Sequence, residues 1–229
     1  MKRSEINTIL KEMEDFIRSY KFALPPFSSF TPAEWQEKGH EYDEVRDNML
    51  GWDITDYGLG NFDHTGFSLL TIRNGNLAMG DKYSKTYAEK LLYLRDGQYS
   101  PMHFHWNKME DIINRGGGEV LIRVYNSTKD EALDKVGEVS IHMDGRAFTV
   151  PAGTQIRLTP GESISIYPYM YHDFTAVKGT GPILLGEVSK CNDDKNDNRY
   201  LEKMGRFPTI EEDEPAYRLL CTEYPPARD

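Results

Sequence analysis

Two of the six histidines stand one residue apart, in His103-Phe104-His105. On an extended strand residues i and i+2 point to one face, so both imidazoles can aim at a single point. Glu110 follows five residues after His105. That odd spacing would put it on the opposite face of one continuous strand, so a bend at Asn107 must return it from the beginning of the next strand. His172 comes much later, behind the turn Thr159-Pro160-Gly161-Glu162 and the alternating Ser163-Ile164-Ser165-Ile166. Three neutral imidazoles and one carboxylate form a donor set suited to Mn, Fe, Co, Ni or Zn. His103, His105, Glu110 and His172 are therefore candidate ligands of one divalent ion.

Such a cluster needs strands to carry it, and the pattern from residue 66 onward predicts them. Short runs cover Phe67–Arg73, Ala88–Leu94, Tyr99–His105, Val120–Tyr125, Ser140–Met143 and Ala147–Val150, then Gln155–Leu158, Ser163–Ile166, His172–Ala176 and Ile183–Val188. Asn74-Gly75, Asp96-Gly97 and Asp144-Gly145 are the dipeptides that supply positive φ in tight hairpins. Closely spaced strands with no helices alternating among them predict an all-β core, an antiparallel sandwich or barrel. Gly116-Gly117-Gly118 has no helix start behind it and reads as a turn between strands rather than a phosphate cradle.

The N-terminal stretch differs. Ile6, Ile9, Leu10, Met13, Phe16, Ile17 and Tyr20 recur at helical spacing behind Ser4 as N-cap, and Pro25-Pro26 ends that helix. Thr31-Pro32-Ala33-Glu34 combines a capping box with proline at the first helical position, which starts a short second helix. The expected organisation is a helical arm over 1–65, the barrel over 66–190, and a loop and tail over 191–229. The polar run 192–198 reads as a solvated loop, since it lacks the glycine and terminal glutamate of a calcium loop. Pro215, Pro225 and Pro226 suggest an extended tail over the domain.

Composition narrows the class. The chain has 229 residues, one domain with appendages at roughly 100–200 residues per domain. Its 27 Lys+Arg against 37 Asp+Glu give a net charge of −10, which argues against a nucleic-acid binder needing a basic face. No apolar run is long enough to span a bilayer, and the N-terminus carries acids where a signal peptide needs apolar residues. Cys191 and Cys221 sit in no cysteine framework and read as reduced thiols. A cytoplasmic globular protein is expected. His40 and His64 lie in the arm, outside the ligand set. His142, flanked by Ile141 and Met143, reads as structural or exposed. Trp106, Tyr167, Tyr169, Tyr171 and Phe174 are assigned to core or rim.

Gly97, His103, His105, Glu110 and Gly117 resemble the first motif of the cupin superfamily, glycine, HxH, glutamate and glycine at the family spacing. Gly161, Pro168 and His172 match the second motif loosely, with Ala176 where asparagine is usual. More closely, the whole chain resembles the D-lyxose ketol-isomerase family. The helical arm, Glu89-Lys90, Lys108 between the ligands, and the block Gly186-Glu187-Val188-Ser189-Lys190-Cys191-Asn192-Asp193-Asp194 are similar to it. The resemblance implies a cupin β-barrel (jelly roll) with added helices, a divalent ion that is commonly Mn²⁺, and often a homodimer. It also implies small aldoses as substrates, D-lyxose and D-mannose going to D-xylulose and D-fructose.

Aldose–ketose interconversion moves a proton between C1 and C2 and another between their oxygens. A Lewis acid, a cation near the oxygens and a carboxylate base would together support a cis-enediol route. Lys90, Lys108 and Glu187 are candidates because strands Ala88–Leu94 and Ile183–Val188 can bring them to the barrel mouth. Glu187 is the first choice of base, because Glu110 is engaged as a ligand. Asp173 joins Lys90, Lys108 and Glu187 as an expected substrate contact. A cupin oxygenase and a non-catalytic sugar-binding cupin remain open alternatives, because the fold hosts unrelated functions. The apolar stripe of the arm, which one sandwich would leave partly uncovered, together with the resemblance, predicts a homodimer.

Overall fold

A computed structural model describes residues 1–229. Helix α1 spans Arg3–Ser19, α2 Pro32–Trp35 and α3 Asp43–Asp47. Fourteen strands follow: β1 (Gly51–Thr55), β2 (Phe67–Arg73), β3 (Tyr87–Leu94), β4 (Tyr99–Phe104), β5 (Glu110–Gly117), β6 (Val120–Ser127) and β7 (Leu133–Asp134), then β8 (Glu138–Met143), β9 (Arg146–Pro151), β10 (Gln155–Leu158), β11 (Ser163–Ile166), β12 (Met170–Ala176), β13 (Ile183–Lys190) and β14 (Arg199–Tyr200). They form an eight-stranded sheet in the order β1-β2-β3-β13-β5-β11-β8-β9 and a six-stranded sheet in the order β10-β6-β12-β4-β14, with β7 on β6. All strand pairings are antiparallel. The two sheets face each other as the expected cupin barrel.

Strand alternation divides the side chains between two cores. Leu92, Ile112, Val124, Ile166, Phe174 and Leu185 fill the space between the sheets. Leu91, Tyr93 and Leu184, offset by one residue, point outward onto α1. There Ile6, Ile9, Leu10, Met13 and Ile17 are wholly buried, each contributing about 1.5–3 kcal/mol relative to exposure. The stripe is thus covered within one chain, by the outer face of its own larger sheet. The expectation that a single sandwich leaves it exposed fails, and with it the packing argument for a dimer.

The tail completes this layer. Arg3 bonds Glu212 at 2.6 Å and also Glu223, and Asn7 Nδ2 donates to Glu214 at 2.6 Å. Ser4 is not the N-cap: α1 begins at Arg3, and the Asp213 carboxylate accepts the Ser4 N–H at 2.9 Å from outside the helix. The helix also ends at Ser19, before the prolines, where Lys21 adopts φ 58°. The capping box of Thr31 and Glu34 forms as expected.

Other departures concern strands and turns. The arm is not wholly helical, because β1 lies inside it and pairs with β2. All five of its residues are buried, so Trp52-Asp53-Ile54 shows no alternation to read. The strand implied only by the return of Glu110 is β5, central in the larger sheet. Asp144-Gly145, at φ 49° and 77°, makes the β8–β9 hairpin. Asp96-Gly97 instead links β3 to β4, which lie in opposite sheets. Asn74-Gly75 makes no hairpin: a side chain at Gly75 would strike the Lys85 carbonyl and Cys191 Sγ, so glycine serves close approach there. No helix is long and apolar enough to cross a membrane.

Candidate metal centre

One end of the space between the sheets is polar, and both sheets supply it. From the smaller sheet come His103 on β4, His105 just beyond its end, and His172 on β12 opposite His103. From the larger sheet come Lys90 on β3, Glu110 on β5 and Glu187 on β13, the last directly beside Lys90 in register. The chain leaves β4, bends at residues 106–109 and enters β5 in the other sheet. This is the turn the HxH–Glu spacing requires.

The ligand atoms of His103, His105 and His172 lie within 4.8 Å of one another. Each ring is oriented by a backbone carbonyl: Nδ1–H donates to Pro101 O at 2.8 Å from His103, to Asp197 O at 2.8 Å from His105, and to Met170 O at 3.0 Å from His172. Carbonyls only accept, so Nδ1 bears the proton and each Nε2 presents a lone pair. Nε2 of His105 and of His172 is buried with no hydrogen-bond partner. Glu110 Oε1 stands 3.6 Å from the first and 3.2 Å from the second. Two imidazole lone pairs and a carboxylate oxygen thus converge with no donor between them. A cation resolves that conflict, and the donor set fits a divalent one.

The charges agree. Burial, reinforced by His172 and His105, holds the pKa of His103 well below the usual histidine value, and burial with Lys108 lowers that of His105. Burial favours neutral Glu110, yet the Lys108 ammonium outweighs it and holds its carboxyl well below the usual range. Burial likewise opposes the Lys108 ammonium, but Glu110 and Glu187 prevail and raise its pKa. Lys108 Nζ lies 2.6 Å from Glu110 Oε2 and 3.0 Å from Glu187 Oε1, and Lys90 Nζ is 3.1 Å from the same Glu187 oxygen. Arg206 completes the cations, bonding Asp53 at 2.6 Å and Asp194 at 3.1 Å.

Seven of the eight residues expected in the site are brought together: His103, His105, His172, Glu110, Lys90, Lys108 and Glu187. Asp173 is not. It follows His172 on β12 and so faces the other side of the sheet, where its carboxylate meets Tyr99 OH at 3.3 Å and Arg123 N at 3.4 Å. His142 packs on Tyr167, and His40 and His64 bond Asp43 and Thr65. Of the expected aromatics only Phe174 lines the cavity.

The run 192–198 is not a solvated loop. Asn192 Oδ1 accepts from Lys90 at 2.6 Å, Asp197 is buried, and Asp194 and Asn198 line the cavity with Tyr57, Tyr200 and Arg206. Burial opposes the Asp194 carboxylate, but Arg206, Lys90 and Lys108 hold its pKa below the usual range. Tyr200, 5.4 Å from the His103 ring, has its phenol pushed up to about 12, chiefly by burial. Sequence reading did not assign these residues to the site. The cavity volume open to water is about 40 Å³.

A family model described as D-lyxose isomerase matches residues 1–224. The chain is 47% identical over 225 residues to the D-lyxose/D-mannose isomerase of Escherichia coli O157:H7, covering 98% of each chain. It is 46% identical over 225 residues, again 98% of each, to the D-lyxose/D-mannose isomerase of Serratia proteamaculans. Its fold is similar to an X-ray structure of Cellulomonas parahominis L-ribose isomerase with no ligand. There the TM-score is 0.59 at 18% identity, over 92% of this chain and 98% of that one.

Proposed function

The chain belongs to the D-lyxose isomerase family, and from that premise we propose that it is a metal-dependent aldose–ketose isomerase of free sugars, taking D-lyxose to D-xylulose and D-mannose to D-fructose. Glu187 carries the proposal. Its Oε1 is tied by Lys90 at 3.1 Å, Lys108 at 3.0 Å and Ser189 Oγ at 3.1 Å, while Oε2 accepts no hydrogen bond from the protein. A carboxylate with one oxygen anchored and the other open is placed to take the C2 proton of an aldose and return one to C1. Glu110 is held by Lys108 and the imidazoles, which leaves Glu187 as the base.

Lys90 and Lys108 set positive charge where the oxygens of a cis-enediolate would develop negative charge. Their other partner, Asn192, fixes both ammonium groups, so little reorganisation accompanies the proton transfer. Arg206, with Nη2 committed to Asp53 and Asp194, and Asp194 itself offer a donor and an acceptor to the remaining sugar hydroxyls. A divalent ion held by His103, His105, Glu110 and His172 supplies, when bound, a Lewis acid for the two oxygens that exchange a proton. Manganese, a homodimer and a cytoplasmic location belong to the same reading, on the family likeness.

Tyr200 and Arg206 line the same cavity as His103, His105, Lys90, Lys108 and Glu187. An aldose panel assayed for ketose, with chelator and with Mn²⁺ restored, tests the function. Ketose from D-lyxose and D-mannose only with the ion, equally under strict anaerobiosis, is expected. Oxygen-dependent turnover would favour an oxygenase, and binding without ketose a sugar-binding cupin; either result overturns the proposal.

A further inference from the structure

We propose that Asp197 is a positioning residue of this centre, setting the ring of His105 and the backbone of Lys108 from the segment that covers the cavity. The bend between His105 and Glu110 leaves the smaller sheet before the chain joins the larger one, so the N–H groups there have no strand to bond. Buried donors must be satisfied. Asp197, only 5% exposed, supplies the acceptors. Its Oδ1 accepts from Asn107 N at 2.9 Å and Asn107 Nδ2 at 3.2 Å, and its Oδ2 accepts from Lys108 N at 2.9 Å. The same residue's carbonyl accepts from His105 Nδ1 at 2.8 Å. Its own N–H donates to Asp193 O at 2.9 Å, which anchors the turn.

One residue therefore fixes the rotation and tautomer of an imidazole and the approach of Lys108 to Glu110 and Glu187. None of these contacts reaches a substrate. Partners of this kind orient ligands and tune a metal centre, and losing one typically lowers metal affinity about 10- to 100-fold. The inference rests on the metal-centre reading, and the wild-type arm of the test separates the two.

Chelator-treated wild type, Asp197→Asn, Asp197→Ala and Asp134→Ala are titrated calorimetrically with Mn²⁺, then assayed at saturating Mn²⁺. Asp134 is the matched control, because its Oδ1 accepts from Val136 N at 3.0 Å and Gly137 N at 2.9 Å, outside the cavity. Asp197→Asn keeps the size and the carbonyl but turns one acceptor into an amide facing N–H groups. It should weaken Mn²⁺ binding about 10- to 100-fold and lower kcat of the loaded protein with KM little changed, while Asp134→Ala alters neither. Should Asp197→Ala fail to fold, Asp197→Asn decides. Wild-type Mn²⁺ affinity together with wild-type kcat in Asp197→Asn overturns the positioning role, whereas wild type that takes up no Mn²⁺ overturns the centre itself.

Discussion

His172 Nε2 stands 3.2 Å from Glu110 Oε1, yet the buried nitrogen makes no hydrogen bond. The imidazole proton sits on Nδ1, against Met170 O, and the carboxylate is held ionised by its neighbours. The barrel thus folds with two acceptors pressed together, a geometry whose energetic sense lies in a third party between them.

Replacing His172 by Ala should leave the barrel folded, because the apolar core between the sheets does not include it. Metal affinity should fall by more than about 100-fold, beyond the 10- to 100-fold typical of an outer partner. Metal analysis of the purified variant beside circular dichroism checks this; full metal content in a folded His172→Ala protein would remove His172 from the centre.

The ion should also stabilise the fold. Binding to the native state alone adds about 2.7 kcal/mol at a free concentration of 100 Kd. Urea denaturation of chelated protein with and without Mn²⁺ should shift its midpoint upward with the ion, and the shift should disappear in His105→Ala.

Lys108→Met removes the buried cation between two carboxylates. Leaving charges buried and unpaired costs about 3–5 kcal/mol. The metal-free variant should lose stability on that scale in urea, and added Mn²⁺ should recover more stability in it than in wild type, because the ion takes over part of the charge balance at Glu110.

Glu187→Gln keeps the shape and abolishes the base. Loss of a general base typically costs 10²- to 10⁴-fold, roughly, in rate. Steady-state kinetics should show kcat falling on that scale, with Mn²⁺ content unchanged because Glu187 does not converge on the imidazoles. Near wild-type kcat would reassign the base.

What could be read from sequence followed strand parity. His103 and His105 share a face by the two-residue repeat, and the five-residue step to Glu110 required the bend that the structure contains. The expectation that Asp173 contacts substrate went against the same parity, since a neighbour of His172 on the same strand points the other way, toward Tyr99 and Arg123. The arm's cover was not legible, because which face of which sheet α1 lies on depends on pairings distant in sequence. Asp194, Asp197, Tyr200 and Arg206 come from an irregular segment placed by long-range bonds to Lys108, Met102, Tyr57 and Asp53. A polar loop facing water and one facing a charged cavity look alike in composition. The usable signal was the pairing of acids over 192–198 with the buried cations across the barrel, and only the fold reveals it.

Isomerisation of D-lyxose by the Mn²⁺-loaded enzyme in D₂O, followed by proton and carbon NMR of the ketose, tests the central claim most directly. Proton transfer by Glu187 should place deuterium on C1 of D-xylulose, in part or in full, since a shielded base can return some of the original hydrogen. Product wholly free of deuterium at C1 over many turnovers, with Glu187→Gln still active, would contradict both the route and the base.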